Sequence, residues 1–230
     1  MAGKPANFQM LWVSKMLQKK SILHIFILSF IFLLCCKGKQ EYSFSQNQTK
    51  MGSAGCDSLS NDEINLLQNG DIIMRHGRGA ISLSITAKLN EKYKLSHCGI
   101  LNIDGDSISV IHTLSIIVSH SNGVQIATLK EFFADTYENS LVVVRLKNTN
   151  NNKITDRAKY YLAKKIPFDD NFNINDTTKF FCNQLVSHIL ETEYGINLID
   201  TATSDQLQNM RFSRFLDTSK FEIIINHQNK

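Results

Sequence analysis

Apolar and polar positions alternate along this chain in blocks, and the blocks predict its elements. Ser60-Asn61-Asp62-Glu63 ahead of Ile64, Leu66 and Leu67 has the form of a capped short helix, which Gly70 ends. Asp71–Arg75 reads as a short strand, His76–Gly79 as a turn, and Ala80–Leu89 as a helix. Leu95–Ile103 and Ser107–His112 are strands joined by an Asp104-Gly105-Asp106 hairpin turn. Two more short strands are expected at Ile116–Ser119 and Val124–Ala127, and Thr128 caps a helix over Leu129–Ala134. Leu141–Leu146 is a strongly apolar strand. The period then changes from two to about 3.6. Ile154, Ala158, Tyr161 and Leu162 form one stripe of a helix that Pro167 ends; Phe181–Glu193 is a second helix, and Phe221–Ile225 a last strand. A meander of strands followed by helices is an α+β order, not alternating βαβ.

The first residues follow a different pattern. Residues 1–36 hold four lysines and no acid, and Ile22–Leu34 is an apolar run broken only by His24 and Ser29. That run is shorter than the ~18–20 residues a spanning helix needs. A basic stretch, an apolar stretch and a cysteine form an export leader. Leu33-Leu34-Cys35-Cys36 resembles a bacterial lipobox with Cys36 as the lipid acceptor, Cys35 standing where a smaller residue is commoner. A plain secretory signal or an uncleaved anchor are the alternatives. We therefore expect a lipoprotein signal peptide at 1–36, a flexible Ser/Gln/Asn-rich tether at 37–60 and one domain at 61–230. The product would be a lipoprotein of a bacterial cell envelope, held on its membrane by acyl chains.

The leader also changes the charge. The whole chain carries 25 Lys+Arg against 21 Asp+Glu, but removing the four leader lysines leaves 21 against 21. A neutral body gives no reason to expect nucleic acid as a partner. The body's cysteines are Cys56, Cys98 and Cys182, an odd number without a CxxC pair. That is neither a disulfide framework nor a structural zinc signature.

Three places carry candidate chemistry. His97 lies in the strand segment Ser96-His97-Cys98-Gly99-Ile100, His112 ends the partner strand, and Cys182 opens a helix. A helix N-terminus favours thiolate over thiol. His97 and His112 are able to lie close across the hairpin, one as base and the other orienting it. Against this stand an inert buried Cys182, a hydrogen-bonded core His97 and a surface His112. A metal site of these residues is disfavoured because His97 and Cys98 point to opposite faces of one strand. His76, His120, His188 and His227 have no context that raises them. Arg75 and Arg78, around a Gly-containing turn, are candidates for holding a substrate anion.

The ordered set Gly70-Asp71-Ile72-Ile73, Ser96-His97-Cys98-Gly99-Ile100, Val110-Ile111-His112, Pro167-Phe168-Asp169 and Phe181-Cys182-Asn183-Gln184-Leu185-Val186 resembles the permuted papain-like cysteine hydrolases. Within that NlpC-type superfamily the likeness is to the YiiX/YebB/YaeF-like branch, over roughly residues 64–195. The resemblance implies a circularly permuted papain-like fold, a small antiparallel sheet against helices. It implies Cys182 as nucleophile, His97 as base and His112 as the third residue, with no cofactor. Phe181 replaces the usual Tyr, Gln184 the usual Glu, and His112 a commoner Glu. The implied activity is hydrolysis of an amide or ester through a thioester, on cell-wall peptides or lipid-linked acyl groups. A catalytically silent binding module and a thiol acyltransferase are the alternatives on the same fold.

Overall fold

The computed structural model describes residues 57–199 and 209–229. The expected leader, Cys36, Cys56 and residues 37–56 of the expected tether lie outside the described residues. The elements run α1 (Asn61–Leu66), β1 (Ile72–Arg75), α2 (Ala80–Leu89), β2 (His97–Asp104), β3 (Ser107–Leu114), β4 (Gly123–Thr128), α3 (Leu129–Phe133), β5 (Val142–Leu146), α4 (Asn152–Ala163), α5 (Cys182–Tyr194) and β6 (Phe221–Asn226). Short 3-10 turns at Phe212–Leu216 and His227–Asn229 flank β6. The strands form one antiparallel sheet in the order β4-β3-β2-β1-β5-β6.

Local signals in the sequence become local structure where the residues can satisfy themselves. Ser60 Oγ accepts the Glu63 N–H at 3.2 Å while the Glu63 carboxylate accepts the Ser60 N–H at 2.9 Å. Thr128 and Glu131 repeat this reciprocal cap on α3. β1 is central and buried at all four residues, so its apolar run has no polar alternation. Just before it, buried Asp71 receives two bonds from Arg145, at 2.7 and 2.8 Å, and the Gln68 N–H at 2.8 Å.

One expected element is corrected. Ile116–Ser119 is a turn, not a strand. Ser115 Oγ accepts the Ile117 N–H at 3.2 Å and donates to Asp170 at 2.6 Å. The Val118 and Ser119 N–H groups close on the Ser115 carbonyl, each at 3.1 Å. Side-chain capping by one serine outweighs the strand preference of three β-branched residues.

The sheet divides two apolar clusters. On one face α4 (Ile154, Ala158) and α5 (Leu185, Val186, Ile189) pack on Met74, Cys98, Ile100 and Ile111. On the other, Phe132 and Phe133 of α3 and Leu67 pack on Ile73, Leu101, Val110 and Val143. Asp57, inside the stretch expected as tether, is buried. Its carboxylate accepts the Ser140 and Leu141 N–H groups, both at 2.9 Å, and meets His227 Nδ1 at 2.7 Å. His227 Nε2 reaches Glu63 at 2.9 Å.

Candidate active site

Strand register builds the first half of the site. Arg75 on β1 is the direct partner of His97 on β2, so their side chains leave the same face of the sheet. His112 on β3 shares that face, and His97 Nε2 lies 2.8 Å from His112 Nδ1. Phe132 covers both rings, at centroid distances of 5.6 and 5.7 Å. The Arg75 guanidinium lies 5.1 Å from the centre of the same phenyl ring. Room for His112 comes from Gly99. A Cβ there would stand 2.4 Å from Val110 Cγ1 and 3.1 Å from His112 Cβ.

Burial dominates the electrostatics of this pair. The His97 imidazole is held well below its ordinary value of 6.5 by burial, then by His112 and Arg75. His112 is lowered to about 4 by burial and then by Arg75. Both rings are therefore neutral at pH 7. The one arrangement that leaves His97 with a basic nitrogen puts its proton on Nε2, donated to the His112 Nδ1 lone pair, and frees Nδ1.

A stability prediction follows from the sign of these shifts. Lowered histidines bind fewer protons in the folded than in the unfolded state, so stability is complete above 6.5 and declines as pH falls toward about 4. His112 alone contributes about 3 kcal/mol to that decline. Denaturant unfolding followed from pH 7 to pH 4 should show it, and His112→Asn should flatten the profile.

Cys182 forms the second half. It is the first residue of α5, after the N-cap Phe181. Gln184 secures this helix start. Its Oε1 accepts the Phe181 N–H at 3.3 Å, and its Nε2 donates to the carbonyls of Asn173, Ile174 and Asp176 at 3.2–3.4 Å. A carboxylate at this position has no proton to give those carbonyls, so Gln suits this loop where the resemblance leads us to expect Glu. Phe181 is buried against Phe172, with ring centroids 5.4 Å apart.

The sheet opens to admit this segment. The β2–β3 ladder runs only from Ile100 opposite Ile111 to Asp104 opposite Ser107, whereas β3 stays paired with β4 as far as Leu114. At the parted end Thr113 Oγ1 donates to the Phe180 carbonyl at 3.2 Å. The Cys182 sulfur is held there by the Cys98 thiol and by the backbone N–H groups of Asn183, Cys98 and Cys182 itself. The Cys98 thiol is the main cause, ahead of the opposing effect of burial, that brings Cys182 below the ordinary thiol value. Burial and then the Cys182 sulfur push Cys98 well above it. Cys182 is half-buried and Cys98 fully buried, so the more acidic thiol is the accessible one.

The structure thus joins His97 to His112, with Arg75 beside them, and Cys182 to Cys98. Among the described residues no hydrogen bond joins Cys182 to His97. They meet the start of β2 from opposite faces, and Arg75 is within electrostatic reach of both. The basic turn expected to hold a substrate anion already holds one of the protein's own. Arg75 Nη1 donates to the Asp135 carbonyl at 2.8 Å and lies 3.7 Å from its carboxylate. The Arg78 N–H bonds the same carbonyl at 3.0 Å, and the Arg78 guanidinium lies 5.7 Å from the centre of the Tyr137 ring. Sequence reasoning missed Cys98 and Asp135. Strand alternation was the available signal for Cys98, because a residue facing away from His97 faces the helix that carries Cys182.

Comparisons with known proteins add the following. The family model described as permuted papain-like amidase enzyme, YaeF/YiiX, C92 family, matches residues 66–218. The crystal structure described as metalloprotein yiiX from Escherichia coli O157:H7 superposes with a TM-score of 0.51 and 19% identity, covering 69% of this chain and 97% of that one. No curated protein sequence matches.

Proposed function

Because this chain belongs to the permuted papain-like amidases of the YaeF/YiiX family, we propose that it is a cysteine hydrolase with Cys182 as nucleophile, His97 as general base and acid, and His112 as the residue that orients His97. The observation that carries this reading is the sulfur of Cys182 at the start of α5, surrounded by N–H and S–H donors and lowered below an ordinary thiol. Four groups that donate to a sulfur anion stabilise it without help from a charged imidazole.

The steps use this chain's own groups. The thiolate attacks an amide or ester carbonyl, forming a C–S bond. The negative charge on the carbonyl oxygen is met by backbone N–H at the helix start. His97, carrying the proton taken from Cys182, gives it to the leaving nitrogen or oxygen as that bond breaks. Water, deprotonated by His97 Nδ1, then cleaves the thioester and restores the thiol. His112 accepts the Nε2–H of His97 throughout, and as a neutral acceptor it stabilises imidazolium less than a carboxylate does. This reading requires His97 and Cys182, unbonded in the resting structure, to come within hydrogen-bond reach in the substrate complex.

The solved relative is described as a metalloprotein. Among the described residues no group of three His, Cys, Asp or Glu is placed to hold a metal ion. The facing nitrogens of His97 and His112 are engaged with each other, so this donor set does not fit one. The same proposal places the protein in a bacterial cell envelope, with lipid on Cys36 and envelope peptides or lipid-linked acyl groups as substrates. A silent binding module draws on the resting bond from Cys182 to Cys98. One experiment separates the two. After incubation of the full chain with cell-envelope extract, intact-mass analysis should show an acyl adduct that hydroxylamine removes and Cys182→Ala abolishes. An adduct-free protein whose Cys182 alkylates no faster near neutral pH than free cysteine would sink the hydrolase reading.

A further inference from the structure

The two ends of the sheet differ in polarity. The C-terminal ends of β1 and β3 and the N-terminal ends of β2, β4 and β5 lie together, because Arg75 faces His97, Leu114 faces Gly123 and Met74 faces Val142. This is the end that carries the site. The opposite end has the turns Asn69-Gly70, Asp104-Gly105-Asp106 and Asn148–Asn151, rich in polar residues. The site end instead exposes apolar side chains. Ile117 is 74% exposed, Ile116 55% and Val118 50%, and Ile81 and Leu83 of α2 are 47% and 44%. Five of the nine large apolar side chains exposed among the described residues therefore stand in the two connections at this end.

This exposure is built in. The turn backbone is tied to Ser115 through the N–H groups of Ile117, Val118 and Ser119, and Ser115 to Asp170, so the turn holds its shape with the three side chains exposed. Lys88, Lys92 and Lys94, all exposed, lie on the last turn of α2 and the link that follows it. The polypeptide from the N-terminal side also enters the body here. Asp57 is bound to the Ser140 and Leu141 N–H groups, and these two residues lead into the same end of β5. Upstream of Asp57 the sequence holds the apolar run Ile22–Leu34 and Cys36.

We infer that the rim formed by Ile116, Ile117, Val118, Ile81 and Leu83 docks on a lipid bilayer, with the neighbouring lysines on anionic headgroups, so that the site end of the sheet faces the membrane. Interfacial docking of this kind sinks apolar side chains ~5–10 Å into the boundary between headgroups and acyl chains and adds attraction to anionic lipid. The inference rests on the anchored reading above for bringing the body to the bilayer. It makes the substrate one that is presented at the membrane surface.

The test uses the full chain in vesicles of phosphatidylethanolamine and phosphatidylglycerol with brominated acyl chains. Trp12, the single tryptophan, is replaced by Phe, and a reporter is introduced as Ile117→Trp or, at the polar end, as Asp106→Trp. Docking gives at least about twofold stronger quenching at position 117 than at 106. Equal quenching overturns the inference. So does a blue-shifted, unquenched Ile117→Trp, which would mean that the Ile22–Leu34 segment or a second copy covers the rim. Flotation with the vesicles reports anchoring separately, so a chain that floats with an unquenched reporter removes the docking and leaves the anchor standing. No step of this readout requires Cys182.

Discussion

Replacing His97 by Gln lowers turnover by about 10²–10⁴-fold and leaves the pH profile of Cys182 alkylation close to that of the parent. The two halves of this result have separate causes. His97 supplies the proton transfers of both steps, and a Gln amide cannot accept a proton near neutral pH. The low value of the Cys182 thiol, by contrast, arises from the Cys98 thiol and three backbone N–H groups, none of which the substitution removes. Cys98→Ala should do the reverse and slow alkylation near neutral pH. Turnover is read with the substrate that the adduct experiment identifies, and alkylation with iodoacetamide across pH 5–10 (a range of about five units around the ordinary thiol value). A parallel loss of alkylation in His97→Gln would mean that an imidazolium–thiolate pair, not the donor set, sustains the nucleophile.

Asp71→Ala should cost about 3 kcal/mol of stability, or roughly 10 °C in midpoint for a domain of this size. Asp71 is fully buried and accepts two bonds from Arg145 and one from the Gln68 backbone. The directions for the two partners differ in meaning. Burial raises the Asp71 carboxyl in spite of Arg145, whereas the bonds from Asp71 raise Arg145. The bidentate geometry, at 2.7 and 2.8 Å, decides for a charged pair. Removing the carboxylate leaves a guanidinium largely shielded from water without its counter-charge. Denaturant unfolding should show a lower midpoint with an unchanged slope. An unchanged midpoint would mean that Arg145 turns to water at no cost.

Much of this fold is written in short-range patterns. The reciprocal caps at Ser60/Glu63 and Thr128/Glu131, the Asp104–Asp106 hairpin and the helix stripe of Ile154, Ala158 and Tyr161 each depend on neighbours within a few residues. They appear where the sequence places them. The His97–His112 contact was also within reach, since two strands and a tight turn bring counted positions together. What the sequence did not disclose depends on distant partners. Ile116–Ser119 reads as strand until Asp170 is known to hold Ser115. His227 carries no local signal, because Asp57 lies 170 residues away. Cys98 becomes notable only when β2 and β3 part and α5 sets Cys182 against it.

The contact between Asp57 and His227 brings side chains near the two ends of the described residues to 2.7 Å from one another. The backbone that leaves Asp57 therefore comes back beside it at His227, as a nearly closed ring. A ring of this kind tolerates being joined here and cut in a surface connection. The site would not register the change, since Arg75, His97, His112 and Cys182 are gathered by strand register and a helix start, not by their order along the chain.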